Sequence, residues 1–170
     1  MNVVDLTMRL DDGTPTHPDD PDVEIEEVAT VEDDGYSVRR IVFPSHVGTH
    51  VDVPTHMVEG GRSVDDYSVD RFVGDAVVVD ARGQDVIDLG EPCTGDADMF
   101  FFRTGHAEGA RGRGSGYHHG GAPVISERTA EALVETGVGV VGIDAPSPDR
   151  APYPVHNKLL GNDVVILENL

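Results

Sequence analysis

The chain has 170 residues, of which 38% are hydrophobic, and this size and composition suit one compact domain, residues 1–170, with its own core. Its 32 acidic residues outnumber 12 Lys and Arg residues, and the formal net charge of -20 disfavours binding to nucleic acid or anionic membranes. The acidic residues are spread along the whole sequence, which is typical of adaptation to high salt.

Two features that the sequence lacks restrict the expected cellular location and the type of metal site. No apolar run is long enough to span a bilayer, and the first residues lack the basic and apolar stretches of a signal peptide. We therefore expect a cytoplasmic protein. Cys93 is the only cysteine, which excludes an internal disulfide and a thiolate-rich metal site. Any metal ion must be bound by His and carboxylate side chains.

Short β-branched or apolar runs, several of them bounded by Pro or Gly, predict that strands dominate the fold. The expected strands are residues 3–8, 23–30, 36–43, 75–81, 99–104, 138–144 and 163–170.

The clearest helix is predicted at residues 126–137, where Ser126 is a good N-cap and Gly137 ends the segment. Short helical turns are expected near 66–72 and 157–160. Residues 105–121 are rich in glycine and are predicted to form a long loop. Together these elements predict a strand-rich α/β domain.

The segment 46–56, HVGTHVDVPTH, holds three histidines and one aspartate at even positions. Gly48, Pro54 and the β-branched residues disfavour a helix. In an extended chain, the even positions face one side and the odd positions face the other. A straight strand would separate the first and last histidines by roughly 33 Å, so the chain must bend, and Gly48 and Pro54 are the residues at which it can.

Four polar side chains on one face of a β-rich segment are costly to bury without a metal or hydrogen-bonding partners. Imidazole and carboxylate without thiolate suit zinc, manganese or iron. The spacing of the histidines excludes the helical H-E-x-x-H protease motif.

The pattern His46-x-Gly48-Thr49-His50-x-Asp52-x-Pro54-x-His56 resembles the signature of the metal-dependent cyclase-type hydrolases, a family that includes bacterial kynurenine formamidases and isatin hydrolases. Segments 101–105 and 141–149 and the C-terminal His156 and Glu168 are similar to family segments too.

This resemblance implies a two-metal site in a domain similar to the swivelling β/β/α fold of the family. His46, His50, Asp52, His156 and Glu168 match the metal ligands, with Asp52 a candidate bridge between the two ions. His56 matches the family's acid–base histidine. Two divalent ions, with zinc favoured and manganese as an alternative, would activate a water.

The function implied by the resemblance is hydrolysis of a carbon–nitrogen bond in a small amide, with N-formylkynurenine as the leading substrate. Hydrolysis or closure of another lactam or lactone remains an alternative, as does a non-catalytic metal- or ligand-binding domain. A homodimer or larger homo-oligomer is expected because family members assemble.

Other polar residues are predicted to lie in loops or turns or in the wall of a pocket. His118 and His119 lie in the predicted loop, which either is solvated or controls access to the site. His17 is expected in a turn and could reach a pocket, and His106 could line one. Asp144 and Asp149 are expected to fix their loop by hydrogen bonds to the backbone.

Overall fold

The computed structural model describes residues 2–90, 92, 95–110 and 121–170. Cys93 and the segment 111–120, which contains His118 and His119, lie outside the described residues, so the predictions for them stay open. The strands are β1 (Glu24–Ala29), β2 (Val38–Val42), β3 (His50–Asp52), β4 (Ala76–Asp80), β5 (Val86–Ile87), β6 (Met99–Arg103), β7 (Val124–Ile125), β8 (Val140–Ile143) and β9 (Val165–Glu168). The α-helices are α1 (Val31–Asp34), α2 (His106–Ala110), α3 (Glu127–Thr136) and α4 (Pro154–Leu160).

A five-stranded sheet in the order β3-β9-β8-β6-β4 forms the centre of the structure. Strands β4, β6, β8 and β9 are parallel neighbours, whereas β3 pairs antiparallel with β9 at one edge. Strands β1 and β2 form a separate antiparallel ribbon, and β5 pairs with β7. This mixed arrangement of strands and helices confirms the predicted strand-rich α/β class.

Both faces of the sheet are covered, but by different partners. On one face, Phe100 and Ile166 pack with Leu133 of α3 and Leu159 of α4 in the larger core cluster. On the other face, Val140 and Val165 pack with partly buried residues that include Tyr67 and Phe72. Because successive strand residues point to opposite faces, the even positions of β9 point towards the helices. That face is where the polar site is built.

Helix α3 confirms the clearest prediction. The Ser126 side chain accepts a hydrogen bond from the backbone N–H of Thr129, and Gly137 ends the helix with φ 80°. Turns of 3-10 helix at Val64–Asp66 and Val69–Phe72 match the turns expected near 66–72. The turn expected at 157–160 is part of the longer helix α4.

Two local predictions are wrong. Residues 3–8 form no strand: the side chains of Val3 and Val4 are 81% and 75% exposed, and none of the described strands pairs with this segment. Their β-branched composition is therefore not sufficient for a strand, which needs a neighbour for its backbone groups. The predicted loop at 105–121 instead begins with helix α2, after Gly105 has turned the chain with φ 77°. No described helix has the length and apolar character needed to cross a membrane.

Candidate metal centre

The motif segment 46–56 folds as a short strand between two bends, as expected from the positions of Gly48 and Pro54. Gly48 has φ 60°, a conformation that favours glycine, and Pro54 starts a 3-10 turn that ends at His56. Strand β3 between them carries His50 and Asp52. Three odd-numbered residues of the segment, Val47, Val51 and Val53, are buried or pack against the core, but Thr55 is exposed.

Pairing of β3 with β9 brings the two ends of the site together. His50 lies directly opposite Glu168 in the antiparallel register, and Asp52 lies opposite Ile166. Ile166 belongs to the core on the helix-covered face, so His50, Asp52 and Glu168 point to that face. Helix α4 packs there and presents His156 to the same point.

The distances between these side chains define a compact cluster. The Asp52 Oδ1 atom lies 2.7 Å from His46 Nδ1 and 3.3 Å from His50 Nε2, and Asp52 Oδ2 lies 3.6 Å from His156 Nε2. The Glu168 oxygens lie 3.5 Å from His50 Nε2 and 3.4 Å from His156 Nε2. Asp52 is therefore the central carboxylate, and each of its oxygens faces imidazole nitrogens.

Three carboxylate oxygens of this cluster have no hydrogen-bond partner among the residues that the structure describes. Both carboxylate oxygens of Asp52 and the Oε1 atom of Glu168 are buried, and no N–H or O–H group of the described residues meets them with hydrogen-bond geometry. Asp52 is 1% exposed and Glu168 is 5% exposed, so water does not solvate them freely. Unpaired buried carboxylates are costly, and a cation would remove that cost. The donor set therefore fits a divalent metal.

Two groups of ligand atoms meet the distance requirement for metal binding among the described residues. One consists of His46, Asp52 and His56, and the other of His50, Asp52 and Glu168; within each group the ligand atoms lie within 4.8 Å of one another. Asp52 belongs to both groups. The Asp52 carboxylate is thus the donor that the two groups have in common.

The tautomers of His50 and His156 are fixed by the hydrogen bond that each Nδ1 atom makes. His50 Nδ1 lies 2.9 Å from the Gly48 carbonyl oxygen, which can only accept, so Nδ1 carries the proton. His156 Nδ1 donates in the same way to Asp149 Oδ1 at 2.6 Å. In the neutral form of each imidazole, Nε2 therefore has the lone pair and faces Asp52 and Glu168, as metal ligation requires.

Asp149 is a component of the site that sequence reasoning did not connect with His156. Its Oδ2 atom accepts hydrogen bonds from the backbone N–H groups of Val155 and His156, at 2.6 and 3.1 Å, while its Oδ1 atom holds the imidazole. The predicted backbone role is confirmed, and Asp144 likewise accepts from the backbone of Thr104 and Gly105. The position of Asp149, seven residues before His156, was the sequence signal that could have connected the two.

Hydrogen bonds that the sequence did not predict connect the start of β3 with the end of β9. The Thr49 hydroxyl donates to the Asn169 carbonyl oxygen at 2.5 Å, and the Asn169 amide donates to the Gly48 carbonyl oxygen at 2.8 Å. Because Asn169 follows Glu168 directly, these bonds fix the position of the Glu168 carboxylate against His50.

The electrostatics of the cluster reflect its buried negative charge. Burial alone would raise the pKa of Asp52, but the imidazoles of His156, His46 and His50 hold that pKa well below its usual range. Burial raises the pKa of Glu168, and the charge of Asp52 adds to the increase. Burial alone would lower the pKa of His156, yet Asp149, Asp52 and Glu168 raise it to about 11. Without a metal, protons on imidazoles supply the positive charge that the carboxylates need.

His56 differs from the other histidines. It is exposed at the cavity wall, and its ring stacks on His46 with 3.9 Å between centroids and lies 5.8 Å from His156. Partial burial lowers the pKa of His56, and the neighbouring imidazoles lower it further, although Asp52 opposes them. The His56 imidazole is therefore uncharged at neutral pH, and it lies next to the cluster and in contact with solvent.

The cluster opens into a cavity of about 520 Å³. His17 lies in a turn and lines this cavity, whereas His106 is the first residue of α2 and is not one of the described residues that line it. Much of the remaining wall is apolar and includes Met8, Pro15, Val47, Met57, Pro146 and Tyr153. A cavity of this size holds a small organic molecule.

Comparison with known proteins places these features in a family. A family model described as "Putative cyclase" matches residues 4–150. The kynurenine formamidase of Salinibacter ruber is 32% identical over 180 residues, which cover 100% of this chain and 82% of the relative. The kynurenine formamidase of Erythrobacter litoralis is also 32% identical, over 98% of this chain and 77% of its own length.

Solved structures share the fold. A potential metal-dependent hydrolase with cyclase activity is 27% identical, with a TM-score of 0.75 over 98% of this chain and 80% of the other. Isatin hydrolase A from Labrenzia aggregata has the same fold at 23% identity, with a TM-score of 0.77 over 98% of this chain and 79% of its own. The matched segment includes the motif 46–56 and most of the sheet, and the chain belongs to the putative cyclase family.

Proposed function

We propose that the protein is a metal-dependent hydrolase that cleaves the carbon–nitrogen bond of a small amide. The observation that carries this proposal is the pair of buried carboxylates of Asp52 and Glu168, which lie among imidazoles in the wall of an open cavity. Three of their four oxygens have no hydrogen-bond partner among the described residues. The relatives named kynurenine formamidase support a formamide as the substrate, with N-formylkynurenine as the leading candidate.

The proposed ligands are His46, His50, Asp52, His156 and Glu168, holding two divalent ions with Asp52 between them. The shared position of Asp52 in two ligand groups supports this number. Zinc is the favoured ion because nitrogen and oxygen donors without thiolate suit it, and manganese is the alternative. When bound, such ions polarise a carbonyl and supply hydroxide near neutral pH.

His56 is proposed to move the proton. Its lowered pKa keeps the imidazole neutral, so it can accept a proton from the attacking water and donate it to the departing nitrogen. His56 also belongs to a ligand group with His46 and Asp52, so the alternative role is metal binding. Removal of its side chain distinguishes the two roles, because only a ligand is needed for metal occupancy.

The test is metal-dependent release of formate. The chelated protein is reloaded with zinc or manganese and assayed for formate release from N-formylkynurenine and from formanilide, and for ring opening of a small lactam. We expect formate release that returns with the metal and is lost in His50→Ala. A metal-loaded protein that binds these compounds but cleaves none of them would support a binding domain and contradict the proposal.

We propose that the enzyme functions in the cytoplasm as a homodimer or larger homo-oligomer. The β1–β2 ribbon makes no pairing with the other two sheets, and its side chains Val28, Val38 and Ile41 are 58%, 44% and 51% exposed. An isolated two-stranded ribbon is marginally stable in water, so a second copy of the chain is the proposed cover. Sedimentation of the wild type and of Ile41→Glu tests this, with dissociation expected in the variant.

A further inference from the structure

Among the residues that the structure describes, Arg150 has no acidic partner, although acidic residues dominate the sequence. No described carboxylate oxygen lies within 4 Å of its guanidinium, and its described hydrogen bond runs from Nη2 to the Ala122 carbonyl oxygen at 2.5 Å. Most other described cations do have a carboxylate within that distance. These pairs are Arg9–Asp11, Arg39–Glu27, Arg40–Glu26, Arg62–Asp163, Arg82–Asp80, Arg103–Glu108 and Lys158–Glu131.

The position of Arg150 explains why an unpaired charge there matters. Among the described residues, it is the only Arg or Lys that lines the cavity next to the metal centre. It directly follows Asp149, which holds His156, and its carbonyl oxygen accepts a hydrogen bond from Tyr153 N–H at 2.8 Å. The bond to Ala122 anchors one guanidinium nitrogen, and the remaining N–H donors are left for another acceptor.

We propose that Arg150 binds a carboxylate on the part of the substrate that is not cleaved. This inference rests on the proposed amide hydrolysis and specifies its substrate class as anionic formamides. A guanidinium forms paired hydrogen bonds with a carboxylate, which fixes orientation as well as charge. The proposed metal ligands His46, His50, Asp52, His156 and Glu168 line the same cavity as Arg150.

The net charge of the protein favours a local cation wherever an anionic group of a substrate is to bind. A protein of formal charge -20 repels a carboxylate at long range, and Asp20 in the cavity wall adds to this repulsion. A local cation restores the attraction within a Debye length, which is about 8 Å at physiological ionic strength. Asp20 is in turn suited to an ammonium group on the same substrate.

The experiment compares N-formylkynurenine with its carboxamide, in which a neutral amide replaces the carboxylate. We expect the metal-loaded wild type to prefer the carboxylate by about 10-fold or more in kcat/KM, mainly through KM, since hydrogen bonds to charged groups are the stronger class. Arg150→Gln should abolish this preference, and Arg150→Lys should retain part of it because the charge remains.

Arg128→Gln is the matched control, because Arg128 is exposed on α3, also lacks a carboxylate within 4 Å among the described residues, and does not line the cavity. It removes the same charge and should keep the preference. An equal preference in Arg150→Gln and the wild type, or none in the wild type, would overturn the inference.

A binding measurement separates failure of this inference from failure of the proposed function. Calorimetry with kynurenine and kynurenine carboxamide needs no turnover and reports the same carboxylate preference. If no formamide is cleaved but the carboxylate binds more tightly than the carboxamide in an Arg150-dependent manner, the proposed reaction is wrong and the role of Arg150 stands. If formamides are cleaved without an Arg150-dependent preference, the reaction stands and the inference is wrong.

Discussion

Replacement of Asp149 by Asn should weaken metal binding without changing a single proposed ligand. The Asp149 Oδ2 atom accepts two backbone N–H bonds, so the Asn side chain will keep its oxygen there and turn its amide N–H₂ towards His156 Nδ1. An N–H donor at that position requires an unprotonated Nδ1, which moves the imidazole proton to Nε2. His156 Nε2 is the atom that lies 3.6 Å from Asp52 and 3.4 Å from Glu168.

The magnitude follows from this change of tautomer. A protonated Nε2 cannot ligate, so metal binding must be accompanied by a return to the less favoured tautomer. Loss of such a partner typically costs about 10- to 100-fold in metal affinity, or about 1.4–2.7 kcal/mol. Competition between the protein and a chromophoric chelator for zinc measures the affinity directly.

Asp144→Asn is the control for this experiment. Asp144 is also a buried aspartate and accepts hydrogen bonds from Thr104 and Gly105, but it makes no contact with His156. This variant should lower the melting temperature and leave zinc affinity unchanged. Equal zinc affinity in Asp149→Asn and the wild type, with the fold intact by circular dichroism, would refute the proposed effect on the His156 tautomer.

The remaining predictions concern the base, the closing carboxylate and the surface. His56→Ala should retain metal and lose about 10²- to 10⁴-fold in turnover, whereas loss of metal equal to that in His50→Ala would make His56 a ligand. Because the pKa of His56 is lowered from 6.5, its neutral form is present above that lowered value, and kcat/KM should fall only when the pH drops below 6.5. Glu168→Gln should reduce metal stoichiometry in elemental analysis, and full occupancy with normal turnover would exclude it as a ligand. Thermal melts in increasing potassium chloride should show a rising melting temperature, because salt screens the repulsion between carboxylates; a constant value would contradict the adaptation to salt.

The central strands and helix α3 were predictable because their signals are local. Apolar runs such as Met99–Arg103 fit a buried parallel strand, and Ser126 and Gly137 mark the helix ends. The residues that converge at the candidate metal centre were named from the motif and, for His156 and Glu168, from the family resemblance, and their roles stay a prediction. Gly48 and Pro54 also gave the two bends correctly.

Other features depend on contacts between distant segments, which a single sequence does not display. Strand β3 has only three residues and owes its form to pairing with β9. The hydrogen bond from Asp149 to His156 and the bonds between Thr49 and Asn169 likewise require the folded backbone. The wrongly predicted strand at residues 3–8 shows the opposite: its β-branched pattern suits a strand, but no described strand pairs with it.

The pairing of β3 with β9 has a consequence for how the protein folds. Thr49 and Asn169 are 120 positions apart in a chain of 170 residues, so more than two thirds of the chain lies in one loop that must close before His50 can meet Glu168. Such non-local pairing is slow, because the entropy of the closed loop is lost before any contact is gained. An ion held by both segments would act as a cross-link, comparable to a disulfide across a loop of about 100 residues, which is worth about 4–5 kcal/mol in the loop-entropy model. Chelation should therefore accelerate unfolding and release β3 from the edge of the sheet first.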